Sequence, residues 1–175
     1  ERLVIILMPS KTDEDEFTKL KYISGGMMHT AELSIANARM ELSLFARVID
    51  KISVSFNALF FDNPKNKNKL LKKIKKLEDV TDRIEMEISG YLTKCAEGEL
   101  STAASKRIRS MLKVINEMER IADIFYQLSL LSERMDDQKI KLKDEAKSEL
   151  QKMSDMVYDS IKQMRLNLEL KPSDL

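Results

Sequence analysis

The scarcest residues constrain this chain most. Four glycines and three prolines occur in 175 residues, and no proline lies between Pro64 and Pro172. In a helix interior, glycine and proline cost about 1 and 3 kcal/mol relative to alanine. A chain so poor in both is free to be helical over nearly its whole length. The remaining breakers then act as punctuation. "ISGG" (Ile23 to Gly26), "DNPKNKNK" (Asp62 to Lys69) and Gly98 divide the sequence into long uninterrupted stretches.

Within those stretches apolar residues recur at alternating steps of three and four, the pattern of a bundle helix. The first predicted helix runs from Met27 to Phe61, with a seam at Ile35, Ala38, Leu42, Phe45, Ile49, Ile52, Phe56 and Leu59. The second runs from Pro64 or Asn68 to Glu97, with a seam at Leu70, Ile74, Leu77, Thr81, Ile84, Ile88, Tyr91 and Cys95. A third, capped by Ser101, spans Thr102 to Arg134 and aligns Ile108, Met111, Ile115, Met118, Ala122, Phe125 and Ser129. The fourth spans Gln138 to Leu170 and aligns Ala146, Leu150, Met153, Val157, Ile161, Met164 and Leu168. Short connections between long helices imply antiparallel neighbours. The expected fold is therefore all-α: an elongated antiparallel bundle of about four long helices. Four of the eleven methionines, Met111, Met118, Met153 and Met164, fall on the seams, where core filling is the simplest use for them and a methionine-lined partner groove the alternative.

The 30 basic and 29 acidic residues leave a net charge of +1. A nucleic-acid binder shows a strong basic excess, so none is expected as a partner. A single cysteine, Cys95, excludes an internal disulfide and fits a reducing compartment. At the front, "LVIILM" (Leu3 to Met8) is too short to cross a bilayer, which takes about 20 apolar residues. It lacks the flanks of a signal peptide. The acidic "PSKTDEDE" (Pro9 to Glu16) follows it. Residues 1–22 are expected to be a juxtamembrane segment and acidic linker, residues 23–171 the helical bundle, and residues 172–175 a tail. Phe60 and Phe61, beyond the main seam of the first helix, suggest a homodimer.

One pattern carries chemistry. "KLEDVTDRIE" places Glu78 and Asp82 four apart, and 41 residues later "EMERIADIFY" does the same with Glu119 and Asp123. Such spacing is not informative alone, since about five pairs arise by chance in a chain this acidic. Position relative to the seams is informative. Shifted by 41, Ile74 falls on Ile115, Leu77 on Met118 and Thr81 on Ala122, so both pairs flank their apolar stripes beside a small residue. Asp79 has Lys75 and Arg83 at ion-pair spacing, whereas Glu119 has no basic residue three or four positions away on either side. Two readings follow: a strip of oxygen ligands for a hard cation, or a hydrated acidic face. Other chemistries lack their residues. The only histidine, His29, has no glutamate three before it, and neither a phosphate loop nor a nucleophile–base pair is present. No catalysis is expected.

The "EDVTD" and "ERIAD" elements resemble the E(D)-x-x-x-D motifs of the PhoU family. "NEMERIADIFYQLS" and "KLEDVTDRIEMEI" look like its third- and second-helix signatures. "YISGGMMHTAELSIANARMEL" is similar to the start of the PhoU-like domain at the C-terminal end of bacterial sodium/phosphate cotransporters, where a run like "ERLVIILMPS" follows the last membrane helix. The resemblance implies a non-catalytic regulatory domain on the cytoplasmic side of the inner membrane, tethered to the transporter's membrane domain. It also implies metal ligation, by iron or another hard cation, with Glu78, Asp82, Glu119 and Asp123 as candidate ligands. The alternatives are a free-standing PhoU-like regulator and a helical interaction scaffold without metal. The family carries its three-helix repeat twice, whereas this chain has one motif-bearing repeat and a fourth helix in which Asp155 and Asp159 are a poor second copy.

Overall fold

The computed structural model describes residues 19–23, 30–62 and 65–170. Four helices form, α1 (Ala31–Phe61), α2 (Lys67–Ala96), α3 (Thr102–Asp137) and α4 (Asp144–Glu169), and there is no strand among the described residues. The all-α expectation holds. None of these helices is long and apolar enough to cross a membrane.

The helix ends follow local chemistry. The Ser101 hydroxyl accepts from the Ala104 amide at 3.1 Å, capping α3 as its sequence predicts. The α1 helix is described from Ala31; the expected start at Met27, with Met28 and His29, lies outside the described residues. At its other end α3 runs past Arg134 to Asp137, because "SERMDD" holds no breaker. A left-handed residue, Lys139 (φ 56°), then stops it, and the Ile140 amide donates back to the Met135 carbonyl at 2.8 Å. The chain must leave this turn before it can coil again, so α4 starts at Asp144 and not at Gln138.

The three helices α1, α2 and α3 pack on one another in all pairings. Lys67 at the start of α2 pairs with Asp136 at the end of α3 at 2.6 Å, so those two run antiparallel. The Phe56 and Phe125 rings meet at 5.4 Å and tie α1 to α3. The core is the predicted seams of these helices, Ile49, Ile74, Ile88 and Ile115 among its fully buried members. Cys95 is buried as expected, while at the last turn of α2 Leu92 takes the core position expected of Tyr91. Met111 is likewise only partly buried.

The α4 helix departs from expectation. It packs closely on α1 alone, and of its predicted seam only Ile161 is buried. Met153 is 62 % exposed, and Leu150 and Val157 also face solvent. Polar contacts hold it in place: Arg47 to Glu169 at 3.0 Å, Arg165 to Asp50 at 3.4 Å, and the Ser154 hydroxyl donating to Asn57. These pairings make α4 antiparallel to α1. The methionine expectation is corrected with it. Only Met118 of the described methionines is buried, and Met86, Met153 and Met156 are among the most exposed apolar side chains. Phe60 and Phe61 are partly buried against the chain's own core, and their rings meet edge to face with centres 4.8 Å apart.

Burial predicts where truncation hurts. Ile49→Ala should cost about 2–5 kcal/mol in urea unfolding, as for a filled core position. Met153→Ala should stay within about 0.5 kcal/mol. Equal losses would mean that α4 belongs to the core after all.

Candidate metal centre

Because α2 and α3 run antiparallel in the register set by Lys67 and Asp136, Asp82 comes level with Glu119 and Glu78 with Asp123. The sequence pattern placed each pair beside a small residue. Thr81 and Ala122 are both fully buried at the helix interface, with the Thr81 hydroxyl donating to the Glu78 carbonyl at 2.7 Å. The acids thus stand on the flanks of a close helix approach. Glu78 is buried, Glu119 and Asp123 are half-buried, and Asp82 is exposed. A shallow cleft of about 480 Å³ lies over the strip, lined by Asp82, Glu85, Met86, Asn116, Glu119 and Arg120.

The electrostatics confirm that the acids feel one another. The Glu119 carboxyl is held above its ordinary range by burial first, then by the charges of Asp123, Asp82, Glu85 and Glu78. Asp82 is raised by desolvation and then by Asp123 across the seam. Glu78 is raised by burial in spite of a hydrogen bond from Lys75, with Asp82 adding to the rise. Glu85, one turn beyond Asp82, is a member of this cluster that the motif did not indicate.

Among the described residues, no ion pair reaches Asp82, Glu119 or Asp123. Glu78 differs. The Lys75 ammonium sits 2.6 Å from it and 3.0 Å from Asp79. The spacing pairs Lys75 with Asp79, and the structure adds Glu78 as a second partner. Its contact with Glu78 arises because Glu78 is tucked inward and Lys75 precedes it by three residues. Asp155 and Asp159 play no part here: both are exposed on α4, which packs on α1.

As the side chains lie, no three histidine, cysteine, aspartate or glutamate residues among those described converge on a point that would hold a metal ion. The donor set nonetheless fits a hard cation in kind. It offers carboxylate oxygens only, three of the four without a protein cation, on facing helix flanks. Binding requires these side chains to turn toward one another.

A family model described as the PhoU domain matches residues 43–130. The match spans most of α1, all of α2 and most of α3, takes in all four acids, and leaves α4 outside. The chain belongs to the PhoU domain family, a regulatory and non-catalytic family associated with phosphate. No curated protein and no solved structure matches the chain.

The raised carboxyls give a pH prediction. Each binds a proton more tightly in the folded state than in the unfolded one. Their contribution is therefore favourable below the ordinary carboxylate range and is lost as pH rises through the raised values. In chelator at low salt, Glu119→Gln with Asp123→Asn should raise the melting temperature near pH 7. The gain should shrink as pH falls toward 4, where the native acids are neutralised by protons. The stabilisation at neutral pH should be on the order of 0.2–0.5 kcal/mol per like-charge pair removed. A double variant less stable than the native chain at pH 7 would mean that these acids are held by favourable contacts.

Proposed function

We infer that this chain is a non-catalytic regulatory domain that couples metal occupancy to phosphate transport. In this reading it is the cytoplasmic part of a sodium-dependent phosphate transporter. One observation carries the metal half of the proposal: Glu78 and Asp82 on α2 face Glu119 and Asp123 on α3 across one helix seam, inside the segment that matches the family. These four residues would hold the cation, iron or another hard ion. A bound cation would neutralise charges that otherwise repel and would tie the flank of α2 to that of α3. The ion's contribution is charge and oxygen coordination; the chain's own contribution is to hold two pairs of acids level on rigid helices.

The tether to a membrane domain is supported by sequence alone. The apolar "LVIILM", the acidic linker and the "YISGGMMHTAEL" segment follow one another in the order seen where such domains leave the membrane. A free-standing phosphate-signalling regulator would use the same acid strip in the same way.

A ligand bound only by the folded state stabilises it by RT ln(1 + [L]/Kd), about 2.7 kcal/mol at a hundredfold excess over Kd. Titration with Fe³⁺ or Mn²⁺ should therefore raise the melting temperature of the native chain. In Glu119→Gln with Asp123→Asn the rise should disappear. A rise that survives the double change places the metal elsewhere. No rise in either protein leaves the strip as a hydrated face.

A further inference from the structure

Where α1 and α3 begin and α4 ends, the three helices do not close on one another, and a cleft of about 680 Å³ opens between them. It exists because α4 packs closely on α1 alone, so its last turns stand off from the first turns of α3. The floor is apolar. Ile35 and Leu42 on α1 are buried beneath it, Met111 on α3 and Leu168 on α4 are partly buried at its sides, and Val114 on α3 is 38 % exposed. The rim is cationic: Arg39, Lys106 and Arg107 line it against one carboxylate, Glu32. Arg39 Nη2 donates to the Leu170 carbonyl at 3.0 Å, a neutral partner that leaves the guanidinium charge unbalanced. Among the described residues, Lys106 and Arg107 make no ion pair. A largely apolar cleft of roughly 300–1,000 Å³ with a few polar groups at its edge is the form of a small-molecule site.

We propose that this cleft binds a single-chain acyl carboxylate, its chain along the apolar floor and its head among Arg39, Lys106 and Arg107. Floor and rim together select that chemistry. Inorganic phosphate would meet only hydrated cations, whose attraction in water is small, and would leave the floor wet. A neutral apolar molecule would leave the cations without a partner. A two-chain bilayer lipid keeps its chains in the bilayer and would use the rim but not the floor. An acyl chain lying between Val114 and Leu168 would join α3 to α4, a packing that the bundle otherwise lacks. The lining from Glu32 to Leu42, and Leu168, falls outside residues 43–130 that match the family, so the cleft is a feature of this chain's added helix. It shares no residue with the acids between α2 and α3 and does not depend on a metal there.

The test titrates cis-parinarate, a fluorescent acyl carboxylate, into the native chain below its micellar concentration. Fluorescence should rise saturably to one molecule per chain. Laurate should displace it, and decanoate, two methylenes shorter, should do so on the order of tenfold more weakly. Lys106→Gln with Arg107→Gln should weaken laurate binding about five- to tenfold and leave uncharged dodecanol unaffected. Val114→Glu, at an exposed position, should abolish saturable binding. Ala103→Trp, which fills the cleft with bulk instead of charge, should do the same, so one poorly folded variant leaves the other to decide. Val157→Glu, on the exposed flank of α4 outside the cleft, should bind like the native chain. Binding that survives both Val114→Glu and Ala103→Trp, or that Val157→Glu weakens equally, overturns the site, as does the absence of saturable binding. Displacement by inorganic phosphate at equal concentration would make it a plain anion site and overturn the acyl assignment. Capture of the chain by anionic phospholipid vesicles without parinarate binding would make the rim a bilayer contact and overturn it equally.

Discussion

One helix serves three neighbours, and the rest of the structure depends on it. The α1 helix meets α2, α3 and α4 on successive faces, so it must be buried around more than half its circumference. It manages this with small side chains between the large ones. Ser34, Ala38, Ala46, Ser53 and Ser55 are all buried, which lets the neighbouring backbones approach. The two inner serines satisfy their hydroxyls within the helix: Ser53 donates to the Asp50 carbonyl at 2.8 Å and Ser55 to the Lys51 carbonyl at 2.7 Å. A buried hydroxyl with a partner avoids most of the desolvation cost. Even Glu41, nearly inaccessible, is used, accepting hydrogen bonds from the Tyr22 and Ile23 amides and pinning the residues before α1 to its side.

The fold was legible in sequence wherever apolar spacing and breakers agreed. The α1 seam from Ile35 to Leu59 is buried throughout, and Ser101 caps where its position said it would. Legibility failed at α4, and the reason is physical. A 3–4 apolar pattern reports that a helix has an apolar flank, not that a neighbour covers it. Ala146, Leu150, Met153 and Val157 keep the pattern, but the contacts that locate α4 are Arg47 to Glu169, Arg165 to Asp50 and Ser154 to Asn57. Those pairs join residues more than 90 apart in sequence, and no local pattern encodes them. The end of α3 failed for a related reason. Its stop is a left-handed lysine, Lys139, a residue type that carries no turn signal.

The candidate site was legible to the level of faces and not of partners. Matching Glu78 with Glu119, and Thr81 with Ala122, relative to their seams placed both acid pairs on one strip, and the antiparallel register brings them level. What the pattern left open was which acid would be neutralised within the chain. Glu78 and Asp79 are adjacent and both lie within a turn of Lys75. Only the three-dimensional burial of Glu78, 6 % exposed, separates an inward acid from an outward one. Glu85 escaped notice because its influence on Glu119 comes across the helix seam.

The placement of α4 and the openness of the strip are one fact seen from two sides. The α1, α2 and α3 helices form a three-sided core, with the acid strip on the seam between α2 and α3. A fourth helix laid over that seam would complete a square bundle, but it would remove Asp82, Glu119 and Asp123 from water without a cation to meet them. Burying an unpaired carboxylate costs several kcal/mol, far more than the burial of an apolar flank such as that of Leu150 and Val157 returns. On α1 the fourth helix instead finds Arg47, Asp50 and Asn57 ready to pair with its own polar residues; it seats Ile161 in the core and leaves Leu150, Met153 and Val157 in solvent. The bundle is thus asymmetric for an electrostatic reason. The charges that make the α2–α3 face a candidate cation site also make it the face that the chain's own last helix avoids.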